Sequence, residues 1–444
     1  MTDGSQENLR VLRIYHAGRD PTHRQRERSL QALGIDITLV VPSSWPERGA
    51  EAQISRESFA IVELPVSRPT DVNRHTYTNL EGMREVVREA NPDVLDVHEE
   101  PFSAAGRQWL KAATADLPIV MYTAQNVAKR YPPPFTVYER RSHRRAAALY
   151  PCSRQAASVA RGKGFDGLLE VIPLGFDPEL FRPGEQSLDD EELVLAIFGR
   201  LVPEKGVRDA VRVFERVNSV RPARLVVVGF GPEEQPAHEL AAALGVADRL
   251  EVEPWLSADR VAQIYRQAHV VLVPSIATTT WTEQFGRVIV EAQASGAVVA
   301  GYATGSIPEV GGQGAVLVSE GDVAALANAV VDLIGDPFDF ERRREQGLAL
   351  GETRTWRRVA EQQAALYRRV VEGDLERVAL PRSPARRRAV ARLEFGETAA
   401  TPIGPRPFAL PLLRRDGFVS AAVAAVIDAC AEAIALLPDR SRSS

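Results

Sequence analysis

Short apolar runs alternate with longer amphipathic segments along most of the chain, and this alternation predicts strands and helices in turn. Apolar runs bounded by turn residues are typical of buried strands, whereas apolar positions three and four apart are typical of helices. The first predicted strand is 11–15, and a loop at 16–19 and an arginine-rich helix connect it to the second, 35–41. This order of elements is how a doubly wound α/β sheet begins.

The alternation pauses at an acidic, turn-rich segment, 182–192, and then resumes, which predicts a linker between two α/β domains. Before the linker, the further predicted elements are strands 94–97 and 119–123 and a helix 136–148. After the linker, the predicted strands are 193–198, 225–228, 250–252, 270–273, 298–301 and 315–318. The predicted helices there are 207–217, 258–267, 322–334 and 355–372.

The composition changes from about residue 375 onwards. A basic run and a proline-rich run follow, and both predict a linker or an extended arm. Residues 419–437 predict an alanine-rich apolar helix whose two charges, Asp428 and Glu432, argue against a membrane span. We expect this helix to pack on the body or on a second subunit, as in a homodimer, with attachment to a membrane surface as the alternative.

Overall composition narrows the class of protein. A chain of 444 residues with 45% hydrophobic and 25% charged residues is typical of a globular protein of two domains. A formal net charge of −5 argues against nucleic-acid binding. Two cysteines, Cys152 and Cys430, are too few for a metal cluster and fit a reducing compartment. The polar N-terminus has no secretory signal, so we expect a cytoplasmic protein.

The segment 278–296 carries the strongest candidate chemistry. Glu283 precedes a predicted helix that begins near Gly286 and Arg287, and Glu291 lies inside that helix. Free N–H groups at a helix start, with a glycine that permits close approach, form a natural site for an anion or an oxygen atom. The alternative is an ordinary amphipathic helix with two solvent-facing glutamates.

A second candidate is the loop 199–206, which follows the strand 193–198 and enters a helix. Arg200 and Lys205 add two positive charges to a glycine-bounded helix start, and this suits a phosphate group. The order of residues is not that of a P-loop. Surface charge is the alternative interpretation. The tight loop 229–232 ends the next strand.

Two features of the first half are less specific. His98 stands at the carboxyl end of the strand 94–97, where ligands bind in such sheets, although a lone histidine is often an ordinary polar residue. The predicted helix 136–148 has a basic face, which is either solvated or in contact with anionic lipid. The arginines of this face are Arg140, Arg141, Arg144 and Arg145.

Three motifs together resemble the retaining glycosyltransferases of family 4: G-R-L-V-P-E-K-G at 199–206, G-F-G-P-E at 229–233 and E-Q-F-G-R-V-I-V-E-A at 283–292. Weaker matches at 96–101 and 172–177 extend the resemblance over about residues 10–373. It implies the GT-B fold, in which two Rossmann-like domains face a cleft. The implied units are an acceptor-side domain 1–185, a nucleotide-sugar domain 186–354 and a helix 355–374 crossing back to the first domain. Residues 375–444 have no counterpart.

The resemblance also implies a role for each matched residue. His98 and Glu283 would be catalytic. The donor diphosphate would be bound by Arg200, Lys205 and Gly18, and the ribose by Glu291. The transferred sugar would be bound by Glu283, Phe285, Gly286 and Arg287. The residues near the nucleobase would be Gly229, Phe230 and Trp255. Three positions depart from the family pattern, Leu174, Gln284 and Gln293, and none of them carries a charge.

The implied reaction needs no metal and no cofactor, because the departing phosphate itself helps to deprotonate the acceptor hydroxyl. No D-x-D motif follows a predicted strand, which agrees with this expectation. The implied partners are a nucleotide-sugar donor and a hydroxyl acceptor. The basic helix suggests a lipid-linked acceptor and contact with the inner face of a membrane, and the arginine-rich, alanine-rich composition suggests a bacterial source. The alternatives are a sugar-nucleotide epimerase, a glycoside phosphorylase and a catalytically silent homologue on the same fold.

Overall fold

A computed structural model describes residues 8–46, 55–254 and 256–395. Its strands before the linker are β1 Arg10–Ile14, β2 Asp36–Pro42, β3 Ala60–Leu64, β4 Val66–Ser67, β5 Thr76–Tyr77, β6 Val94–Val97, β7 Ile119–Thr123, β8 Ala148–Pro151 and β9 Leu168–Leu169. Those after it are β10 Leu193–Phe198, β11 Ala223–Val228, β12 Leu250–Glu253, β13 Val270–Val273, β14 Val298–Tyr302 and β15 Ala315–Val318.

Helices connect the strands. In the first half they are α1 Gln25–Ala32, α2 Leu80–Ala90, α3 Ala104–Ala112, α4 Phe135–Arg145 and α5 Arg154–Lys163. In the second half they are α6 Val207–Asn218, α7 Glu234–Ala243, α8 Ala258–Gln267, α9 Arg287–Ala294, α10 Ile307–Gly311, α11 Val323–Gly335, α12 Pro337–Glu352, α13 Trp356–Glu372 and α14 Pro384–Phe395. None of these described helices is both long enough and apolar enough to cross a membrane.

Two parallel sheets form the framework. The first has the strand order β3-β2-β1-β6-β7-β8-β9 and the second β12-β11-β10-β13-β14-β15, while β4 and β5 form a separate antiparallel pair. Every residue of β10 is buried, because helices cover both faces of a parallel sheet. Apolar clusters therefore lie on both sides of each sheet.

The strand order locates the ligand-binding edge of each sheet. The chain leaves β1 on one side and returns on the other side through β6, and it does the same at β10 and β13. Parallel sheets open a crevice outside the carboxyl ends of the strands at such a reversal of strand order. The segments that follow β1, β6, β10 and β13 are therefore where binding residues are expected, and all four contain residues predicted for the site.

The helix α13 leaves the second half and packs against the first. It lies against α1, and its Ala360, Ala364 and Tyr367 are buried in the cluster that also contains Val11. The Tyr367 hydroxyl donates a hydrogen bond to Asp96 in β6. The small and aromatic positions of this helix face the first sheet because burial of that amphipathic stripe drives the docking.

One predicted helix is too long. We expected a helix over 136–148, but α4 ends at Arg145 and residues 148–151 form the strand β8. Alanines at 146–148 favour a helix when only local propensity is considered. In the structure Ala148 is buried and β8 is hydrogen-bonded between β7 and β9, so pairing in the sheet outweighs that propensity.

The predicted arm after residue 375 is also partly wrong. Residues 384–395 form the helix α14, which packs closely on α5. Arg161 in α5 makes two hydrogen bonds of 2.7 and 2.8 Å to the carboxylate of Glu394, and Ala391 and Phe395 are buried beside them. The contact that holds α14 on α5 is an ion pair between residues distant in the chain, and such a pair cannot be predicted from composition. The predicted helix 419–437 and Cys430 lie outside the described residues.

Candidate active site

The segment between β13 and α9 forms the centre of the site. Gly286 caps α9 with a φ of 81°, and a Cβ atom there would lie 2.9 Å from the Cδ1 atom of Ile289. A glycine is therefore required both by the left-handed backbone and by the contact. The backbone N–H groups of Phe285, Gly286 and Arg287 have no hydrogen-bond partner within the described part of the chain, and N–H groups at a helix start attract negative charge.

Lys205 and Glu283 meet at this point. The Nζ atom of Lys205 lies 2.6 Å from Oε2 of Glu283, and the hydroxyl of Ser275 donates to the same oxygen at 3.2 Å. The ammonium group also lies 5.1 Å from the ring centroid of Trp281. The Glu283 side chain is only 9% exposed. A carboxylate that is so buried needs a partner, and the lysine supplies the neutralising charge.

The two loops that carry this pair are held together by backbone packing. Gly206 has a φ of 68° and begins α6, and a Cβ atom there would lie 2.1 Å from the carbonyl oxygen of Pro274. The amide of Ile276 donates to the carbonyl of Glu204 at 2.8 Å. The carboxyl ends of β10 and β13 are thereby joined, and Lys205 reaches Glu283 as a result.

Arg200 is the second cation of the loop after β10. Its side chain is exposed and makes no ion pair with any described residue. A guanidinium that keeps its donors available suits an anion arriving from solvent, because it binds phosphate oxygens through two N–H groups at once. The structure gives no direct contact between Arg200 and Lys205.

Glu291 lies one helical turn beyond Arg287 and points to the same side of α9. Its carboxylate accepts hydrogen bonds from the Tyr265 hydroxyl at 3.2 Å and from Arg287 at 2.9 Å. The negative charge of Glu291 raises the pKa of Arg287 and outweighs burial, which acts to lower it. Burial, followed by the charge of Glu291, raises the pKa of Tyr265. The carboxylate is therefore positioned from two sides and keeps lone pairs for further donors.

The loop after β11 lies beside the loop after β10. Gly229 has a φ of 153°, and a Cβ atom there would lie 1.8 Å from the carbonyl oxygen of Gly199. The amide of Leu201 donates to the carbonyl of Phe230 at 2.8 Å, and the Phe230 side chain is 42% exposed. Gly229 and Phe230 thus border the predicted phosphate loop. Trp255, predicted to lie near the nucleobase, is outside the described residues.

On the first sheet, His98 follows β6 at the point of strand reversal. It is 8% exposed, its ring stacks on Tyr122 at a centroid distance of 4.0 Å, and the edge of Tyr15 lies 4.5 Å away. Burial and then the positive charges of Arg13 and Arg26 lower the pKa of His98 well below its ordinary value. The imidazole is consequently neutral at pH 7 and can accept or donate a hydrogen bond.

Gly18 occupies a short 3-10 helix after β1. Its carbonyl accepts a hydrogen bond from Arg24 at 2.6 Å, and a Cβ atom there would meet Tyr15 and Leu39. These contacts all lie within the first sheet and its helices. A contact of Gly18 with the phosphate loop does not appear among the described residues, so its role at the diphosphate stays a prediction.

Direct bonds join the two halves at the site. The side-chain amide of Asn126, which follows β7, donates to the backbone carbonyl of Glu283 at 2.7 Å. In the other direction, Gln284 donates to the carbonyl of Ala124 at 3.1 Å. Three residues of the site were not predicted: Asn126, Ser275 and Tyr265. The position of the first two just after a buried strand is the signal that could have identified them.

Two further cavities are not lined by the residues named above. A surface cavity of about 790 Å³ is bounded by the linker and α8, and no predicted site residue lines it. A small cavity beneath α4 is lined by Glu100, Glu139 and Lys163 among others. Among the described residues there is no group of three or more histidine, cysteine, aspartate or glutamate side chains that could bind a metal ion.

Comparison with protein families agrees with this arrangement. Residues 27–180 match the family described as Glycosyltransferase Family 4, and residues 181–348 match the one described as Glycosyl transferases group 1. The two matches meet at the linker and together span more than half of the chain. The second match contains both loops of the candidate donor site.

Characterised relatives match over part of their length. The D-inositol 3-phosphate glycosyltransferase of Stackebrandtia nassauensis is 33% identical over 239 residues, which cover 49% of this chain and 52% of the relative. The MMP alpha-(1->4)-mannosyltransferase of Mycolicibacterium hassiacum is 31% identical over 207 residues, covering 46% of this chain and 49% of the relative. The chain thus spans about half the length of the curated relatives it matches.

Solved structures share the architecture. Sucrose-phosphate synthase from Thermosynechococcus elongatus aligns with a TM-score of 0.64 and 18% identity, covering 82% of this chain and 100% of that one. Anabaena HepE in complex with UDP and glucose aligns with a TM-score of 0.61 and 17% identity, covering 81% of this chain and 99% of that one. At these identities the likeness establishes the fold, and the predicted GT-B fold is confirmed. The chain belongs to glycosyltransferase family 4.

Proposed function

We propose that the chain is an enzyme that transfers a sugar, with retention of the anomeric configuration, from a nucleoside diphosphate to a hydroxyl acceptor. The observation that carries this proposal is the group formed by Lys205, Glu283 and the free N–H groups at the start of α9. This group places a cation that can bind phosphate next to a carboxylate that can bind sugar hydroxyls. Both lie at the carboxyl ends of β10 and β13, where the strand order reverses. The bound UDP and glucose of HepE support a nucleotide-sugar donor for this family member too.

Each part of the group has a task in the reaction. The bond between the anomeric carbon and the phosphate oxygen breaks, and negative charge grows on the departing diphosphate. Lys205, Arg200 and the helix N–H groups stabilise that charge, since fixed donors and cations act strongly where water is excluded. Glu283 accepts hydrogen bonds from the sugar hydroxyls, and Glu291 accepts them from the ribose.

The acceptor attacks the same face that the diphosphate leaves. Its oxygen forms the new bond to the anomeric carbon, and its proton passes to the departing phosphate oxygen, so no separate base and no metal ion are required. Names of relatives such as D-inositol 3-phosphate glycosyltransferase support a hydroxyl-bearing acceptor. In this scheme His98, at the carboxyl end of β6, supports the transfer from the first sheet. An epimerase or a phosphorylase on the same fold is the alternative, and it would not need an acceptor hydroxyl.

Thermal unfolding with candidate donors tests the proposal. A donor that binds only the folded state raises the free energy of unfolding by about 2.7 kcal/mol at a hundredfold excess over its dissociation constant. We expect one of UDP-, GDP- or ADP-sugars to raise Tm, with the same increase in EDTA. Transfer of the sugar to an acceptor should then be detected by product analysis.

Two results would contradict this expectation. An increase in Tm by free phosphate alone, with none by any nucleotide-sugar, would favour a phosphorylase. Activity that EDTA abolishes and Mn²⁺ restores would show that the metal-free scheme is wrong.

We further propose that the acceptor-side half contacts an anionic membrane through α4 and α14. Arg140, Arg141 and Arg144 are exposed on α4. Burial, followed by the positive charges of Arg388 and Arg140, lowers the pKa of Arg387 in α14, so the charge of α4 acts on α14. The basic face predicted from the sequence therefore continues onto α14, although Arg145 instead donates to the carbonyls of Thr114 and Leu117.

Vesicle binding tests the membrane contact. Basic residues near an anionic membrane contribute about 1 kcal/mol each, so the triple change of Arg140, Arg141 and Arg144 to Ala should weaken binding to phosphatidylglycerol vesicles about a hundredfold at low salt. The matched control changes three exposed arginines of α13, Arg357, Arg358 and Arg368, and should bind as the unchanged protein does. Equal binding to neutral and anionic vesicles, or equal losses in both triple variants, would contradict the proposal.

A further inference from the structure

A chain of buried hydrogen bonds leads away from His98 into the first domain. The Nδ1 atom of His98 lies 3.0 Å from the hydroxyl of Tyr150, and that hydroxyl lies 2.5 Å from Oδ1 of Asp96. Arg13 lies 3.2 Å from the same hydroxyl and is also paired with Asp96. All of these side chains are nine-tenths or more buried. Water therefore does not donate to or accept from these groups. The position of each proton then follows from the number of donors and acceptors that the side chains have.

Asp96 acts as an acceptor only. Its Oδ2 atom accepts from the guanidinium of Arg13, which is always charged, and from the hydroxyl of Tyr367. An aspartate that receives these donors is ionised. The Tyr150 hydroxyl, at 2.5 Å from Oδ1, must then give its single proton to Asp96.

The remaining capacity of the Tyr150 hydroxyl is two lone pairs. Arg13, which has only donors, occupies one of them. The other faces Nδ1 of His98, and two lone pairs cannot face each other in a stable hydrogen bond. Nδ1 must therefore carry a hydrogen. Because burial and the nearby positive charges lower the pKa of His98, the ring has one proton, and Nε2 has none.

The ring is also prevented from turning over. Tyr122 stacks on one face with an interplanar angle of 27°, and Tyr15 meets it edge-on at 79°. Nε2 has no hydrogen-bond partner in the part of the chain that the structure describes. The unprotonated nitrogen is thus fixed in position with its lone pair available to an incoming hydroxyl group.

We propose that Tyr150 and Asp96 are positioning residues that keep His98 in the Nδ1–H tautomer, so that Nε2 accepts a hydrogen bond from a hydroxyl of the substrate. The Tyr367 hydroxyl links this arrangement to α13, which follows the nucleotide-sugar half in the chain. The acceptor role towards substrate rests on the proposed function. The tautomer does not, since it is a property of the protein without substrate.

Nitrogen-15 NMR of the histidine rings tests the tautomer directly. The chain has seven histidines, and the His98 signals are identified by their loss in His98→Gln. At pH 7 we expect the unliganded protein to show a hydrogen on Nδ1 and none on Nε2. A hydrogen on Nε2, or on both nitrogens, would overturn the proposal, and this measurement needs no other variant to fold.

Tyr150→Phe tests the positioning. It removes the acceptor of the Nδ1 hydrogen, so the Nε2–H form should become the main one, and kcat should fall about tenfold, the worth of one such hydrogen bond, with the donor KM unchanged. Tyr302→Phe is the matched control, because Tyr302 is another buried tyrosine that donates to a carboxylate, Asp209 at 2.9 Å. It should leave kcat and the His98 spectrum unchanged. A folded Tyr150→Phe protein with unchanged tautomer would show that Tyr150 does not position His98.

If no donor or acceptor supports transfer, the proposed function fails while the spectra still decide the tautomer. Conversely, transfer by a protein whose His98 carries its hydrogen on Nε2 would retain the function and remove the positioning role. The two proposals therefore fail separately.

Discussion

Lys205→Met should raise the donor KM and lower kcat/KM about a hundred- to a thousandfold, the range found when one charge-stabilising donor is removed from an active site. Methionine keeps the length and apolar stem of lysine but removes the cation next to Glu283. The donor diphosphate then faces a buried carboxylate without its neutralising partner, so both the bound donor and the leaving diphosphate are destabilised. Steady-state kinetics with varied donor measure the effect.

The chain contains a matched control for this change. Lys163 lies 2.7 Å from Glu139 and 4.4 Å from the ring centroid of Tyr131, so it reproduces the ion pair and the aromatic contact of Lys205. It lines the small cavity beneath α4, which contains none of the predicted site residues. Lys163→Met should lower the free energy of unfolding by a similar amount and leave kcat and KM with a soluble acceptor unchanged. If the two variants lose activity equally, the loss reflects stability, and Lys205 has no special part in donor binding.

Glu283→Gln should give the opposite kinetic pattern. We expect kcat to fall about a hundredfold or more, while the donor KM stays the same or decreases. The reason is that glutamine removes a negative charge close to the expected diphosphate, which relieves repulsion in the bound donor. It also removes the charge that balances the positive character of the anomeric carbon in the transition state, and an interaction made only there affects kcat.

The control for this variant is Glu139→Gln, which neutralises the carboxylate of the matched ion pair. Its kcat and KM should equal those of the unchanged protein. A Glu283→Gln protein with a raised donor KM and an unchanged kcat would contradict the assignment, because Glu283 would then contribute to binding alone and have no role in the transition state.

Much of the candidate donor site could be predicted from local sequence pattern. Glu283 was expected before a helix and Glu291 inside it, and both lie there because the apolar run after Gly286 forms α9. Lys205 was expected on the loop after the strand 193–198. The strands before these residues are short apolar runs followed by glycine-containing turns, and this combination predicts buried strands.

The parts that were missed depend on neighbours distant in the chain. Asn126 is an ordinary polar residue until the second half brings the carbonyl of Glu283 within 2.7 Å of it. The first residue of β8, Ala148, was predicted to be helical because alanine favours helices, and pairing with β7 makes it part of a strand. The helix α14 lay in a basic run that resembled a linker, and its ion pair from Arg161 to Glu394 spans more than two hundred residues.

The sequence by itself determined the α/β alternation, the two parallel sheets and the residues that follow their central strands. These features depend on periodicity and glycine placement, which act over a few residues at a time. Only the tertiary structure decided that Lys205 is paired with Glu283, that Asn126 and Gln284 join the halves, and that Tyr150 fixes the proton on His98. Such contacts depend on how one sheet is oriented towards the other. They also depend on burial, because a polar or charged group that is removed from water needs a hydrogen-bond or ionic partner within the protein.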